Sequence, residues 1–356
     1  MLLTYRNMAA PDVAIITDTH FGLRKGSQIF HDYFEKFYRE VFFPTLDERQ
    51  IKTVLHLGDC FDVRKGIDYW SLDWAKRVFF DPLRDRGIQT HVIVGNHDIF
   101  YKNTLKINAP GLNLNEYDNV TCYSSAQDVR VEDVPIFFIP WICEDNAEEF
   151  VEAMEGSKAS VAMGHLEIAG FYANQNYQCQ HGTDARVFSQ FEKVFSGHFH
   201  KKNSSGNITY LGNPYQLYWN DEGDTRGFHL FNLGTKELEY IENPTSMYSK
   251  IYYNEDEGKL FNPNLHADKY VKLIVEKSTP RKLSKLVDSL YQVGIHDLKI
   301  IENFEVSLDE DTEVEAEDTL TTLTNYVNAM EIDPNEADSE NIINILKSLY
   351  VEAQEV

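Results

Sequence analysis

The sequence is poor in cysteine, has no long apolar run and is short of basic residues. Four cysteines, Cys60, Cys122, Cys143 and Cys179, lie far apart among 356 residues and form no Cys-x-x-Cys pair. A disulfide framework and a thiolate zinc site are therefore unexpected, and buried small thiols in a reducing compartment are expected. No stretch approaches the roughly 18 consecutive apolar residues of a membrane span. The start, Met1 to Met8, is too short and too polar for a signal peptide, so a cytoplasmic location is expected. Residues 1–7 leave room for an alternative start at Met8 and are assigned no role.

Thirty-three Lys and Arg face 57 Asp and Glu, a net charge of −24 that argues against a nucleic-acid partner. The deficit is uneven, however. Residues 301–356 hold 16 acidic residues and one Lys, which leaves 41 acidic and 32 basic residues, a balance of −9, in the first 300. Most of the acidity belongs to the tail. With 42% apolar residues, 22 Phe and 20 Tyr, the chain has ample material for a core, and its length suits two or three domains.

Short β-branched or apolar runs recur at Val13–Ile16, Thr53–Leu57, His91–Val94, Ser160–Met163 and Lys193–Phe195. Helical spacing separates the early ones: Phe30, Phe34, Phe37, Tyr38 and Val41 share a face, as do Trp74, Ala75, Val78 and Phe79 before Pro82. This alternation predicts an α/β fold with a buried, largely parallel sheet. Pro135–Ile139 and Asn207–Leu211 read as further strands, and Phe228–Phe231 with Glu237–Ile241 as a hairpin around Gly234. A boundary falls near Asn243-Pro244, giving a first domain over 1–244. Residues 245–306 then read as a small α+β unit. It has strands at Val271–Val275 and Leu298–Ile301 and a helix from Pro280 to Val293, closed by Gly294. Residues 307–318 read as a solvated acidic linker. Two amphipathic helices are expected within 319–356, with stripes Leu320, Leu323, Val327, Met330 and Ile342, Ile345, Leu346, Leu349. They either fold back on the main body or await a partner.

The chemistry is written at the strand ends. The five runs lead into Asp18-Thr-His20, Gly58-Asp59, Gly95-Asn96-His97-Asp98, Gly164-His165 and Gly197-His198-Phe199-His200. Ligands of open α/β sheets bind beyond the carboxyl ends of the strands, so these residues should converge. Carboxylate, amide oxygen and imidazole without thiolate suit Mn²⁺, Fe²⁺ or Zn²⁺. Seven candidates, Asp18, His20, Asp59, Asn96, His165, His198 and His200, exceed one site and suffice for two ions sharing a bridging carboxylate. One Gly-Asp or Gly-His alone would mean nothing. His31, His56, His91, His181, His229, His266 and His296 stand outside the pattern and read as satisfied polar residues.

The ordered set D-x-H, G-D, G-N-H-D, G-H, G-H-x-H over residues 13–200 resembles the calcineurin-like metallophosphoesterases. The resemblance implies a sandwich of two mixed β-sheets flanked by helices. It implies one ion held by Asp18, His20 and His200, a second held by Asn96, His165 and His198, and Asp59 between them. It assigns His97 to the phosphate or leaving group, with Asp98 orienting His97.

Within that superfamily the chain is similar to the SbcD branch, the nuclease subunits of double-strand-break repair complexes, named meiotic recombination eleven in eukaryotes. Gly58-Asp-Cys-Phe-Asp62, Gly212-Asn-Pro-Tyr-Gln216, the small β-α-β unit and the tail helices carry the likeness. The compact length is closest to the versions of T-even-type phages. The likeness implies two divalent ions, with Mn²⁺ first and Fe²⁺, Zn²⁺ or Mg²⁺ as alternatives. It also implies DNA as substrate, a DNA-capping domain at 245–306, an SMC-like ABC ATPase bound by the C-terminal helices, and a homodimer. Some members carry His where this chain has Asp62. That departure removes any phosphate-rotating role there and leaves Asp62 to fix the Arg64 loop.

Basic residues follow the same motifs: Arg24-Lys25, Arg64-Lys65, Lys102 with Lys106, and Lys201-Lys202. Such a ring can hold a nucleic-acid backbone beside an acidic body, although exposed loops often carry such residues anyway. Phe100, Tyr101, Tyr215, Tyr218 and Trp219 offer either stacking or packing surface. Three functions compete: a two-metal DNA exonuclease with endonuclease capacity, a small-molecule phosphodiesterase or phosphatase, and a structural DNA-end binder for the ATPase. The extra unit and tail weigh against the second, and the full ligand set against the third.

Overall fold

A computed structural model describes residues 12–173, 178–257 and 261–302, together with Val327 and residues 342–346. The chain divides into two compact units, residues 1–249 and 250–356.

The first unit is built on two six-stranded mixed sheets. In one, Asp12–Ile16 runs parallel to Thr53–His56, which is parallel to Gln89–Ile93, which is parallel to Val120–Tyr123. Arg226–Asn232 pairs antiparallel with Asp12–Ile16 on the other side and carries Leu238–Asn243 at the edge. In the second sheet Val161–His165 lies between Val134–Ile139 and Lys193–Gly197, all parallel, and Lys193–Gly197 is parallel to Ile208–Tyr210. Gln127–Val131 and Asn203–Ser205 close the edges antiparallel.

Alternation along the strands explains the layering. Val13, Ile15, Leu55, Leu57 and Ile93 meet Ile136, Phe138, Val161, Met163 and Phe195 in one buried cluster between the sheets. The outer face of the second sheet packs Phe137, Ile139 and Ala162 against Phe150 and Met154 of the helix Ala147–Gly156. Aromatic rings from the helices around 28–48 and 69–85 join Phe21, Tyr215 and Phe228, as in Phe34 stacked on Tyr215 at 3.8 Å and Phe42 edge-on to Phe228 at 4.9 Å.

Those two helices run further than their prolines suggest. Gln28–Phe37 continues through a π-turn, Tyr38–Phe42, into Phe43–Glu48, and Tyr69–Ala75 passes through Lys76–Phe80 into Asp81–Asp85. In each case the wide turn sits just before a proline, Pro44 or Pro82. The residue ahead of that proline donates five residues back, Phe43 N to Tyr38 O and Asp81 N to Lys76 O. The widened turn makes room for a ring that would clash in a regular helix. Pro82 therefore does not end its helix.

In the second unit Tyr270–Lys277 and Asp297–Glu302 pair in parallel across the helix Pro280–Gln292, with Tyr248–Asn254 as a third strand. Ile251, Val271, Leu273, Val275, Leu286 and Leu290 form its core. The linker 307–318 lies outside the described residues, as do the tail helices apart from Val327, which is buried and helical, and the helical segment 342–346. Among the described residues no helix is long and apolar enough to cross a membrane.

Candidate metal centre

Four residues of the strand-end motifs have left-handed backbone: Asp18 (φ 53°), His20 (φ 44°), Asp59 (φ 51°) and His198 (φ 83°). Such conformations cost on the order of 1–3 kcal/mol each and persist where surrounding structure holds them. Here Asp18 N donates to Gly58 O at 3.0 Å and His20 N to Asp59 O at 3.1 Å, tying the first two loops together. The glycines permit close approach. A Cβ on Gly95 would stand 2.2 Å from Asp59 Oδ1, and one on Gly197 2.0 Å from Thr17 Oγ1.

The seven candidate ligands are brought together in two clusters. Asp18, His20 and His200 form one, with the Nε2 atoms of His20 and His200 facing each other at 3.2 Å and His200 Nε2 3.9 Å from Asp18 Oδ1. Asp59, His165 and His198 form the other, and Asn96 Oδ1 lies 2.9 Å from both His165 Nε2 and His198 Nδ1. Asp59 Oδ2 is 3.2 Å from His165 Nε2 and 3.9 Å from His20 Nε2, so a single carboxylate oxygen addresses both clusters.

The electrostatics fit divalent cations. Burial, with neighbouring imidazoles adding to it, pushes His200 well below its ordinary value and His198 down to about 3, so both present neutral lone pairs. Burial opposes the charge of Asp59, but His165 and His97 outweigh it and hold the carboxyl well below its usual range. Burial likewise opposes protonation of His165, yet Asp59 raises it to about 9. That proton sits where a cation would bind. Buried facing lone pairs around one shared carboxylate form a donor set without sulfur, suited to two hard or borderline ions.

The supporting contacts revise several expectations. His97 Nδ1 donates to the main-chain oxygen of Asp62 at 2.7 Å, not to the Asp98 carboxylate expected to orient it. Asp98 instead accepts from Phe61 N at 3.1 Å and Gly95 N at 2.9 Å, bracing two loops, and burial raises its carboxyl to about 6. The Asp62 carboxylate meets His20 Nδ1 at 3.1 Å, a contact that orients a candidate ligand and was not expected of it. Arg64 is tied to the Asn96 carbonyl at 2.8 Å.

The basic residues that follow the motifs stand in different settings. Arg24 and Lys25 are exposed on a left-handed turn. The Arg24 guanidinium lies 5.7 Å from the Tyr218 ring, which is itself parallel to His200. Lys65 and Lys102 are exposed and Lys201 half-buried. Lys106 pairs with Asp145 at 3.2 Å. The Lys202 ammonium lies 3.3 Å from the centre of the Tyr240 ring on an edge strand. Of the aromatics, Tyr215 is buried packing, whereas Phe100 and Tyr101 are exposed.

The supporting roles of two groups of residues escaped sequence reasoning. Trp141 lies 5.0 Å from the His198 ring and 6.1 Å from His165, walling the second cluster. Its position two residues beyond the strand Val134–Ile139 was the available signal. Buried Arg226 bonds the His200 carbonyl and Asn213 Oδ1 and pairs with Asp221 at 2.8 Å, while Tyr215 Oη donates to Thr19 O at 2.6 Å. The segment Gly212–Gln216 thus braces the first cluster from behind.

A family model described as calcineurin-like phosphoesterase matches residues 11–202. The chain is 35% identical over 305 residues to Exonuclease subunit 1 of Enterobacteria phage T4, covering 85% of this chain and 88% of that protein. Among solved structures, a dimetal phosphatase from Danio rerio is 12% identical, covering 67% of this chain and 98% of its own, with a TM-score of 0.38. An archaeal phosphodiesterase is 11% identical, covering 65% and 99%, with a TM-score of 0.33. The family match takes in every strand-end residue that converges on Asp59, and the chain belongs to the calcineurin-like metallophosphoesterases, as a metal-dependent hydrolase related to a phage exonuclease subunit.

Proposed function

We propose that the chain hydrolyses DNA phosphodiesters with two divalent ions, Mn²⁺ by preference. In this reading Asp18, His20 and His200 hold one ion, Asn96, His165 and His198 the other, and Asp59 both. The observation that carries the two-ion reading is the Asp59 oxygen standing within 4 Å of imidazoles from both clusters. The relation to the phage exonuclease subunit carries the choice of DNA. The ions would supply Lewis-acid polarisation of the phosphate and a nucleophilic water at neutral pH.

The chain's own groups do the rest. His97, whose Nδ1 meets the Asp62 carbonyl, is placed to donate a proton to the departing oxygen. Arg24, Lys25, Lys65, Lys102 and Lys201 position the backbone phosphates without reading sequence. Trp141 shields the second cluster from bulk water. Residues 245–306 cap the DNA, the helices of 319–356 bind an SMC-like ATPase across the linker 307–318, and the nuclease domain pairs as a homodimer in the cytoplasm.

The test is degradation of linear double-stranded DNA by the purified chain with Mn²⁺, beside His97→Ala. Metal-dependent cleavage by the parent and none by the variant is the expected result. A chain that hydrolyses a generic phosphodiester but leaves DNA intact, even with its ATPase partner, would retain the centre and overturn the substrate. Truncation after residue 306 should abolish ATPase binding and keep cleavage.

A further inference from the structure

Beyond the strand-end centre, a second set of potential ligands gathers on the ribbon that follows His165. Its two arms, Leu166 to Tyr172 and Gln178 to Thr183, are laced by main-chain bonds: Thr183 N to Glu167 O at 2.8 Å, Gly170 N to Cys179 O at 2.7 Å and Cys179 N to Phe171 O at 2.8 Å. Cys179 and His181 are two residues apart on one arm. Gly182 has φ +113°, and a Cβ there would lie 2.6 Å from Glu167 O. The glycine lets the arm bearing Cys179 and His181 close onto Glu167. As a result a carboxylate oxygen of Glu167, Sγ of Cys179 and a ring nitrogen of His181 all lie within 4.8 Å of one another.

We propose that Glu167, Cys179 and His181 form a third metal site, of zinc type, separate from the hydrolytic centre. One sulfur, one imidazole and one carboxylate make a three-ligand tetrahedral set, and the exposed His181 leaves the fourth position to water. The sulfur sets its selectivity, because thiolate favours Zn²⁺ over the Mn²⁺ or Mg²⁺ that an oxygen and nitrogen centre accepts. Among the described residues, no other cluster of potential ligands contains a cysteine.

The local chemistry defines the cost of loading. Cys179 is 1% exposed within the outer core of the second sheet, beside Ile168, Phe171 and Tyr210. Burial, and then the Glu167 charge, push its thiol up to about 11, and Sγ donates to His181 O at 2.6 Å. An ion must displace that proton: the S–H bond breaks, a sulfur–metal bond forms, and one proton leaves to solvent. The cation reverses both influences that keep the thiol protonated, since it neutralises the carboxylate and supplies the charge that burial lacks. A loaded site would clasp the ribbon that begins at Leu166, next to the second-cluster ligand His165. Cys179 is a buried thiol, as the sequence leads one to expect, and the site would give it and His181 a further role.

Cobalt distinguishes the two kinds of site. The full chain, stripped with chelator, is titrated with Co²⁺ and followed for sulfur-to-cobalt charge-transfer absorption in the near ultraviolet, which the hydrolytic centre cannot produce. The proposal predicts one such site per chain, displaced by Zn²⁺ and retained in excess Mn²⁺. Cys179→Ser should lose the band while keeping the visible cobalt bands of the other sites, which report an intact fold. His181→Ala and Glu167→Gln should each weaken binding by at least about tenfold, as removal of a ligand must exceed the effect of removing a residue behind one. Absence of the band at saturating Co²⁺, its survival in Cys179→Ser, its loss to Mn²⁺, or unmoved affinity in both other variants would overturn it.

Discussion

The Asp62 carboxylate lies 3.1 Å from Nδ1 of His20. This contact leaves Nε2 of His20 directed at His200, so Nε2 is the nitrogen that would face an ion there. The same residue holds His97 through its main-chain oxygen. Side chain and backbone of one residue therefore address two different functions, and substitution can separate them.

Asp62→Ala removes the carboxylate and keeps the carbonyl. It should weaken binding of the first ion by about 10–100-fold, with much of the turnover restored at saturating metal. His97→Ala should leave metal affinity unchanged and lower turnover by about 10²–10⁴-fold. Calorimetric metal titration beside turnover numbers checks both, and equal effects of the two variants on affinity would contradict the division.

Tyr215→Phe deletes the hydroxyl that donates to Thr19 O, between the ligands Asp18 and His20. The buried carbonyl loses its partner, a cost of about 1–3 kcal/mol. Denaturant unfolding should show that loss, and first-ion affinity should fall with it. An unchanged midpoint would mean that the brace is dispensable.

Arg226→Met leaves the Asp221 carboxylate buried without its 2.8 Å partner and takes from the His200 carbonyl one of its two donors, the other being Asn213 N at 3.3 Å. Breaking such a pair costs about 3–5 kcal/mol. The companion Asp221→Asn, Arg226→Met double variant should recover part of the loss, because no unpaired buried charge remains. Failure to recover would locate the cost in the His200 contact.

The metal-free protein should carry a pH signature from His165, whose value is raised from 6.5 to about 9 because Asp59 outweighs burial. A raised group stabilises the fold fully below its unfolded value, and the contribution is lost as pH rises through the folded value. Thermal stability of chelated protein should therefore fall between about pH 6.5 and 9 relative to His165→Gln. Saturating metal should remove that difference, since the ion then takes the place of the proton.

The strand-end candidate ligands were legible because each follows a short β-branched or apolar run and comes within five residues of its end. In Lys193–Gly197 the apolar pair Val194-Phe195 is followed within five residues by His198 and His200. The β-α-β pattern of the second unit was legible for the same reason, while its third strand, Tyr248–Asn254, lies among turn and polar residues and gave no such run. The role of Asp62 toward His97 was not legible, since a carbonyl acceptor leaves no trace in residue type. Lys202 could be placed only by knowing that Tyr240, far along the chain, lies beneath it. The π-turn that carries a helix past Pro82 has no counterpart in the apolar spacing.

The central claim is that Asp59 joins two ions. Anomalous diffraction from crystals soaked in Mn²⁺ tests it most directly. Two peaks about 3.5–4 Å apart, flanking Asp59 Oδ2, are predicted, one against His20 and His200 and one against His165 and His198. A single peak, or two peaks that do not share Asp59, would contradict the account.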